Sequence, residues 1–174
     1  MESSAFVIRQ KGIRDGRTDG RKEEEKRENE LQRMLAFLKV LQCNLAVLHH
    51  GGSGDGWFEV HDYLDEAQER LAELTDDLIE AGIALGFTEP TIADAVLLFQ
   101  RDVLPALKRE RKETDHITRE AFRSAAGLMQ ASEGIVPASV ANKLQECEYW
   151  LNKEADYKLA GALGIGSERH DDDD

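Results

Sequence analysis

Five side chains in this 174-residue chain have the types and spacing that metal chemistry needs: His49, His61, Asp65, Asp76 and Glu80. Counted from His61, the three acids lie 4, 15 and 19 residues further on. On a helix turning 100° per residue these offsets project at about 40°, 60° and 100°, so all four residues share one stripe. Yet His61 and Asp76 stand about 22 Å apart along the axis at 1.5 Å per residue. No single ion bridges that gap, because metal–nitrogen and metal–oxygen bonds are only about 2.0–2.6 Å long. The stripe is therefore two half-sites. Packed antiparallel against its own copy, with a two-fold axis near residues 70–71, the helix brings 61 and 65 of one chain to 76 and 80 of the other. Each such dimer holds two identical sites. His49 precedes the glycine-rich bend GGSGDG, which returns it to the mouth of the His61 half. Two imidazoles and three carboxylates make a hard, mostly oxygen shell with some nitrogen, suited to iron or manganese rather than to a thiolate-seeking metal. The competing reading is bland. Acids at i, i+4 on an acidic helix are ordinarily a solvated face, and a histidine beside a glycine turn is ordinarily a cap or a surface residue.

The elements that must position these residues follow from periodicity. The run EEEKRENE opens a helix with acids in its first turns, where the helix dipole favours them. Leu31, Met34, Leu38, Leu41, Leu45 and Leu48 then recur at 3,4,3,4,3 spacing, a continuous apolar stripe, and predict a first helix over about 23–50. A second helix starts near Trp57–Glu59 and carries Val60, Leu64, Leu71, Leu74 and Leu78, with Gly86 and Pro90 after its end. A shorter helical segment covers roughly 91–101, Pro105 breaks the path, and a third long helix is expected over about 106–131. Pro137 stands in the first turn of a fourth, over about 138–163. Four long helices with a short one in the longer connection describe an all-α, four-helix bundle with a crossover. The domain layout is a weakly basic tail at 1–22, the bundle at 23–164, and an acidic tail at 165–174.

Charge narrows the function classes. The net charge is −13, but residues 1–22 carry six basic side chains against three acids, a net of +3, which leaves −16 on the rest. An acidic body argues against a broad nucleic-acid surface and suits a protein that concentrates cations. Cys43 and Cys147 sit in helical contexts, which suggests neither a disulfide framework nor a zinc pair, and points to reduced thiols. No apolar run of signal-peptide or membrane-spanning length is seen, so a cytoplasmic chain with no membrane partner is expected. Glu113-x-x-His116 has the spacing used in larger di-iron carboxylate proteins, but only one such motif occurs, in a polar run, and a solvent-exposed face is the expectation there.

The segment from His49 to Gly86 resembles the signature of the DNA-protection-during-starvation (Dps) family of mini-ferritins. That signature has a histidine at the end of the first helix, a Gly-x-x-Phe bend, and a second histidine twelve residues after the first. An aspartate follows four later, another eleven beyond that, and a glutamate four further on. Here those positions hold His49, Gly54, Trp57 in place of Phe, His61, Asp65, Asp76 and Glu80, and IALG at 83–86 is similar to the family's usual close of the second helix. Two positions depart from the pattern. His50 stands where the family commonly has Trp, and the N-terminal tail, Lys-rich in the family's DNA binders, is Arg-containing and interrupted by Asp15 and Asp19.

What the resemblance implies is a ferritin-like bundle whose substrate is Fe²⁺. His49 and His61 are then nitrogen ligands, Asp65 and Asp76 carboxylate ligands, and Glu80 a bridging or firmly bound carboxylate, with manganese or zinc able to occupy the same site. Hydrogen peroxide or dioxygen oxidises the iron, and the ferric product collects in a hollow homo-oligomeric shell, usually of twelve subunits, protecting against oxidative damage. DNA association through the tail is expected to be weak. The alternative is a non-catalytic helical bundle, with a structural metal clamp or no metal.

Overall fold

The computed structural model describes residues 18–165, with side chains from 21 onward; of the expected tails at 1–22 and 165–174, residues 1–17 and 166–174 lie outside the described residues, while 18–22 are part of the first helix. Helix α1 runs Thr18–Gly51, starting ahead of the expected residue 23. A two-residue strand, β1 (Gly52–Ser53), leads into α2 (Trp57–Ile83), and the short α3 (Ile92–Leu98) lies in the crossover. A second short strand, β2 (Arg109–Glu110), precedes α4 (Arg111–Ser132). The fourth long element is α5 (Ala138–Lys153), which continues through a π-helical segment at Glu154–Leu159 into α6 (Ala160–Ala162). The chain has the all-α, ferritin-like architecture, in which α1 packs on α2, α4 on α5, and the two pairs meet through α2 with α5 and α1 with α4.

One apolar core unites the bundle. Leu31, Met34, Leu38, Leu41, Leu45 and Leu48 of α1 meet Val60, Leu64, Leu71, Leu74 and Leu78 of α2, together with Phe122, Met129, Leu144 and Leu151. These are the stripes that the spacing selects, because positions three and four apart fall on one helix face. The end of α2 is set by Gly86, whose φ of 84° is the left-handed conformation that only glycine adopts without strain. Phe87 N–H donates to the Gly82 carbonyl at 3.0 Å and Gly86 N–H to the Ile83 carbonyl at 2.9 Å, closing the helix with a Schellman motif. Thr91 and Asp94 form a capping box that starts α3.

The structure corrects the expected third helix. Residues 106–110 are not helical; α4 begins at Arg111. Arg109 is buried and donates to the carbonyls of Leu107 (3.1 Å) and Pro105 (3.0 Å), satisfying groups that a helix would have used. β2 also pairs in parallel with β1, Gly52 opposite Arg109 and Ser53 opposite Glu110. Asn44 holds the crossover from the other side, donating to the Asp102 carbonyl (2.7 Å) and accepting from Leu104 N–H (2.9 Å). The bend after α1 is thereby pinned at both edges rather than left as a free loop.

The expected helix over 138–163 is one continuous path, but its last third widens into the π-helical segment. There Glu154 is buried, ion-paired to Lys158 Nζ at 3.0 Å, and lies beside Tyr63. Burial first, and the Glu154 carboxylate second, hold the Tyr63 phenol far above its ordinary range, so it remains protonated.

Candidate metal-binding site

The bend decides where the two imidazoles go. Gly56 caps α2 with a φ of 72°, and Gly52 lies so close under the Trp57 ring that a Cβ there would enter it. The chain therefore reverses tightly, and His49 in the last turn of α1 faces His61 in the second turn of α2. Their Nε2 atoms are 2.6 Å apart and the rings meet edge to face, with centroids 3.9 Å apart. Trp57, one turn before His61, lies edge-on to it at 6.5 Å. Asp65 brings Oδ1 to 3.4 Å from His49 Nδ1. Three of the five sequence-selected residues are thus gathered at one end of the α1–α2 pair.

Gln68 completes this group and was not singled out by sequence reasoning. Its amide Nε2 donates to His49 Nδ1 at 2.9 Å and to the Leu64 carbonyl at 3.1 Å. It lies seven residues after His61, which on a helix returns within about 20° of the same stripe, so the i, i+7 spacing was the available signal. The donated hydrogen bond orders the protons. His49 Nδ1 accepts, so its Nε2 carries the hydrogen and donates to His61 Nε2. His61 then carries its own proton on Nδ1, which faces Asp62 Oδ1 at 3.7 Å. His49, only 9% exposed, has its pKa lowered by burial first and by the neighbouring His61 second, while Asp65 opposes the shift. A neutral imidazole is the form that offers a nitrogen lone pair to a cation.

Two imidazoles binding one ion at about 2.1 Å each, at angles near 90–109°, hold their nitrogens roughly 3.0–3.4 Å apart. The observed 2.6 Å is a closed pair; to hold one ion it would open by under about 1 Å, and the His49 hydrogen would shift from Nε2 to Nδ1, with the Gln68 amide turned to accept it.

Asp76 and Glu80 lie exposed further along the same helix and are not brought to the histidines within one chain. Their neighbours are engaged, Asp77 with Lys143 at 2.7 Å and Glu73 with Arg70 at 2.9 Å, whereas neither Asp76 nor Glu80 takes an ion pair among the described residues. Asp65 meets the Nδ1 side of His49, the far side of the ring from the paired Nε2 atoms. Hence no three His, Cys, Asp or Glu side chains of a single chain, among the described residues, converge where they could hold a metal ion. His50 faces away, its Nδ1–H donating to the Ala46 carbonyl at 2.8 Å while its ring stacks on His49. Glu113 and His116 are both exposed, Glu113 lying 3.8 Å from Arg109.

No protein-family model matches the chain, and no curated protein matches it. Among solved structures the chain is similar to Dps92 from Deinococcus radiodurans, with a TM-score of 0.76 at 20% sequence identity, over 82% of this chain and 88% of that one. That likeness is one of fold.

Proposed function

We propose that this chain is the subunit of a Dps-like mini-ferritin that oxidises Fe²⁺ at a site shared between two copies. The observation that carries the reading is the facing His49–His61 pair with Asp65 at one end of α2, complemented by the unpaired Asp76 and Glu80 on the same stripe. An isologous, antiparallel α2–α2 contact closes the two halves into one five-ligand site. Fe²⁺ is the substrate. Two ferrous ions each give up one electron, hydrogen peroxide takes both, its O–O bond breaks, and two protons complete two waters. Carboxylates favour the Fe³⁺ product because hard oxygen donors suit the higher charge. Glu80 fits the bridging role, and Gln68 holds the His49 ring in the orientation that binding needs. Pairwise oxidation consumes peroxide without releasing hydroxyl radicals, which is the protective side of the reaction. Ferric product then collects within a homo-oligomeric shell, for which twelve subunits is the assembly the resemblance favours. The fold likeness to a Dps protein and the −13 net charge, which draws cations, support this reading.

The test is direct. Purified protein mixed with Fe²⁺ and peroxide develops ferric absorbance faster than buffer, and His61→Ala combined with Asp65→Ala lowers that rate to the buffer level. An unchanged rate in the double variant removes the site; a wild-type rate equal to buffer favours a non-catalytic bundle. DNA association through the basic residues between Arg9 and Lys22 is subsidiary, and a low-salt gel shift that disappears at moderate salt is the expected sign of it.

A further inference from the structure

The stripe of α2 that carries Asp65, Asp76 and Glu80 also carries two apolar side chains that the fold leaves uncovered. Phe58 is 84% exposed and Ile83 58% exposed. The other large apolar residues of that helix pack on the core, Trp57, Tyr63 and Ile79 included. Counted from His61, Phe58 and Ile83 project at about 60° and 40°, inside the arc of about 0–100° that the four stripe residues span. Their midpoint along the chain falls between residues 70 and 71. The same point lies midway between His61 and Glu80, and midway between Asp65 and Asp76. A two-fold axis there sets Phe58 of one copy against Ile83 of the other, twice in each dimer. Within one chain the two side chains stand about 37 Å apart along the axis and cannot meet.

Apolar side chains exposed singly are ordinary on a protein surface. This pair is set apart by the company it keeps. Asp65, Glu69, Asp76 and Glu80 are all exposed on the same stripe, so the contact gathers the carboxylates of two copies along one seam. Like charges juxtaposed across an interface oppose it. Until cations occupy the seam, something other than charge has to hold the two helices in register. Phe58 against Ile83 can do so, because both stand in water in the single chain and covering them removes apolar surface at no cost to the fold. Position adds a second role. Each pair lies three residues, about 4.5 Å, beyond the level of His61 and Glu80, on the side away from the two-fold axis. There it closes the outer end of the site against water, and carboxylates hold a cation more strongly as the surrounding dielectric falls.

We propose that Phe58 of one copy packs on Ile83 of a second copy, forming an apolar cap at the outer end of each shared site and fixing the register of the α2–α2 contact before metal binds. The inference rests on the shared-site reading above and goes beyond it, since neither residue is a ligand. Phe58 and Ile83 are positioning residues.

Disulfide trapping of the metal-free protein tests it, in a chain whose exposed native thiol is removed by Cys43→Ser. Phe58→Cys combined with Ile83→Cys should form a chain-to-chain disulfide on mild oxidation. Its yield should be several-fold above that of Glu59→Cys combined with Ile83→Cys, whose first thiol points about 100° away from Phe58. Asp65→Cys combined with Asp76→Cys reports on the shared site alone. A link between 65 and 76 without one between 58 and 83 overturns the cap and leaves the shared site standing; links at neither overturn both. The second arm is dilution of the metal-free protein, followed by light scattering. Phe58→Ala should dissociate at a protein concentration about tenfold or more above wild type, while Phe58→Leu, which keeps an apolar contact, should stay within a few-fold of it. Phe58 is exposed in the single chain, so neither substitution disturbs the core. Equal dissociation of wild type and Phe58→Ala overturns the proposal.

Discussion

If each iron site is half from one chain and half from another, two inactive variants should rescue each other. Take one variant with His61→Ala and Asp65→Ala, which destroys the imidazole half, and a second with Asp76→Ala and Glu80→Ala, which destroys the carboxylate half. The halves lie about 22 Å apart on α2, too far for either variant to complete a site within its own chain. In a two-fold dimer of the first variant, both sites lack the imidazole half; in a dimer of the second, both lack the carboxylates. A mixed dimer differs. One of its sites draws the intact imidazole half from the second variant and the intact carboxylates from the first, while its other site is doubly defective. When the variants are dissociated, mixed in equal amounts and reassembled at random, half the dimers are mixed and each carries one working site of two. The recovered Fe²⁺ oxidation rate should thus be about a quarter of wild type, against a background near zero for either variant alone. The assay is ferric absorbance after Fe²⁺ and peroxide addition, with assembly of every sample checked by light scattering. Absence of recovery in well-assembled mixtures refutes the shared site. So does either variant retaining a wild-type rate alone, because the missing half would then not be needed.

Gln68→Leu removes the donor to His49 Nδ1; Fe²⁺ affinity should fall by about tenfold or more, as is usual when the group orienting a ligand histidine is lost, and an unchanged titration would show the amide is idle. Gly52→Val forces a side chain into the Trp57 ring, so urea unfolding should report about 1–3 kcal/mol of lost stability together with a changed tryptophan emission. Leu64→Ala, at a core position with no solvent exposure, should cost about 2–5 kcal/mol in the same measurement. Burial pushes the Cys147 thiol up to about 12 from 9.0. The unfolded chain therefore loses that proton first, and stability, full below pH 9, declines as pH rises from 9 toward 12. The decline is on the order of 2 kcal/mol by pH 10.5, and Cys147→Ala should flatten it in urea midpoints taken at pH 8 and 10.5.

Much of the bundle was readable because its signals are local and repeated. The 3,4 spacing from Leu31 to Leu48 marks the core face of α1 six times over, and all six residues are buried together. What escaped is non-local. Residues 106–110 have ordinary helix-forming side chains, and nothing in their own pattern says that Arg109 will be buried to cap carbonyls at Leu107 and Pro105, or that β2 will pair with a bend 57 residues earlier. The π-helical widening at Glu154–Leu159 escaped for the same reason: it accompanies a carboxylate that becomes buried beside Tyr63, on a different helix.

The candidate site divides along the same line. Spacing placed His61, Asp65, Asp76 and Glu80 on one stripe, because helical geometry alone fixes that. The bend GGSGDG returned His49 to the mouth of the His61 half, but how closely the rings approach depends on how tightly it turns, and the turn is set by Gly52 under Trp57 and by the β1–β2 pairing. Spacing could not anticipate that the two imidazoles close on each other at 2.6 Å with Gln68 behind one of them. This closure accounts for the buried ring nitrogens within one chain. Two neutral rings joined by a hydrogen bond satisfy their own buried nitrogens, whereas His49 left unpaired, at 9% exposure, would carry the cost of an unmet polar group. Asp76 and Glu80 need no such device, because both are exposed to water. On the proposed reading, each half is therefore stable as it stands, and the hydrogen bond between the imidazoles is what would break for an ion to enter.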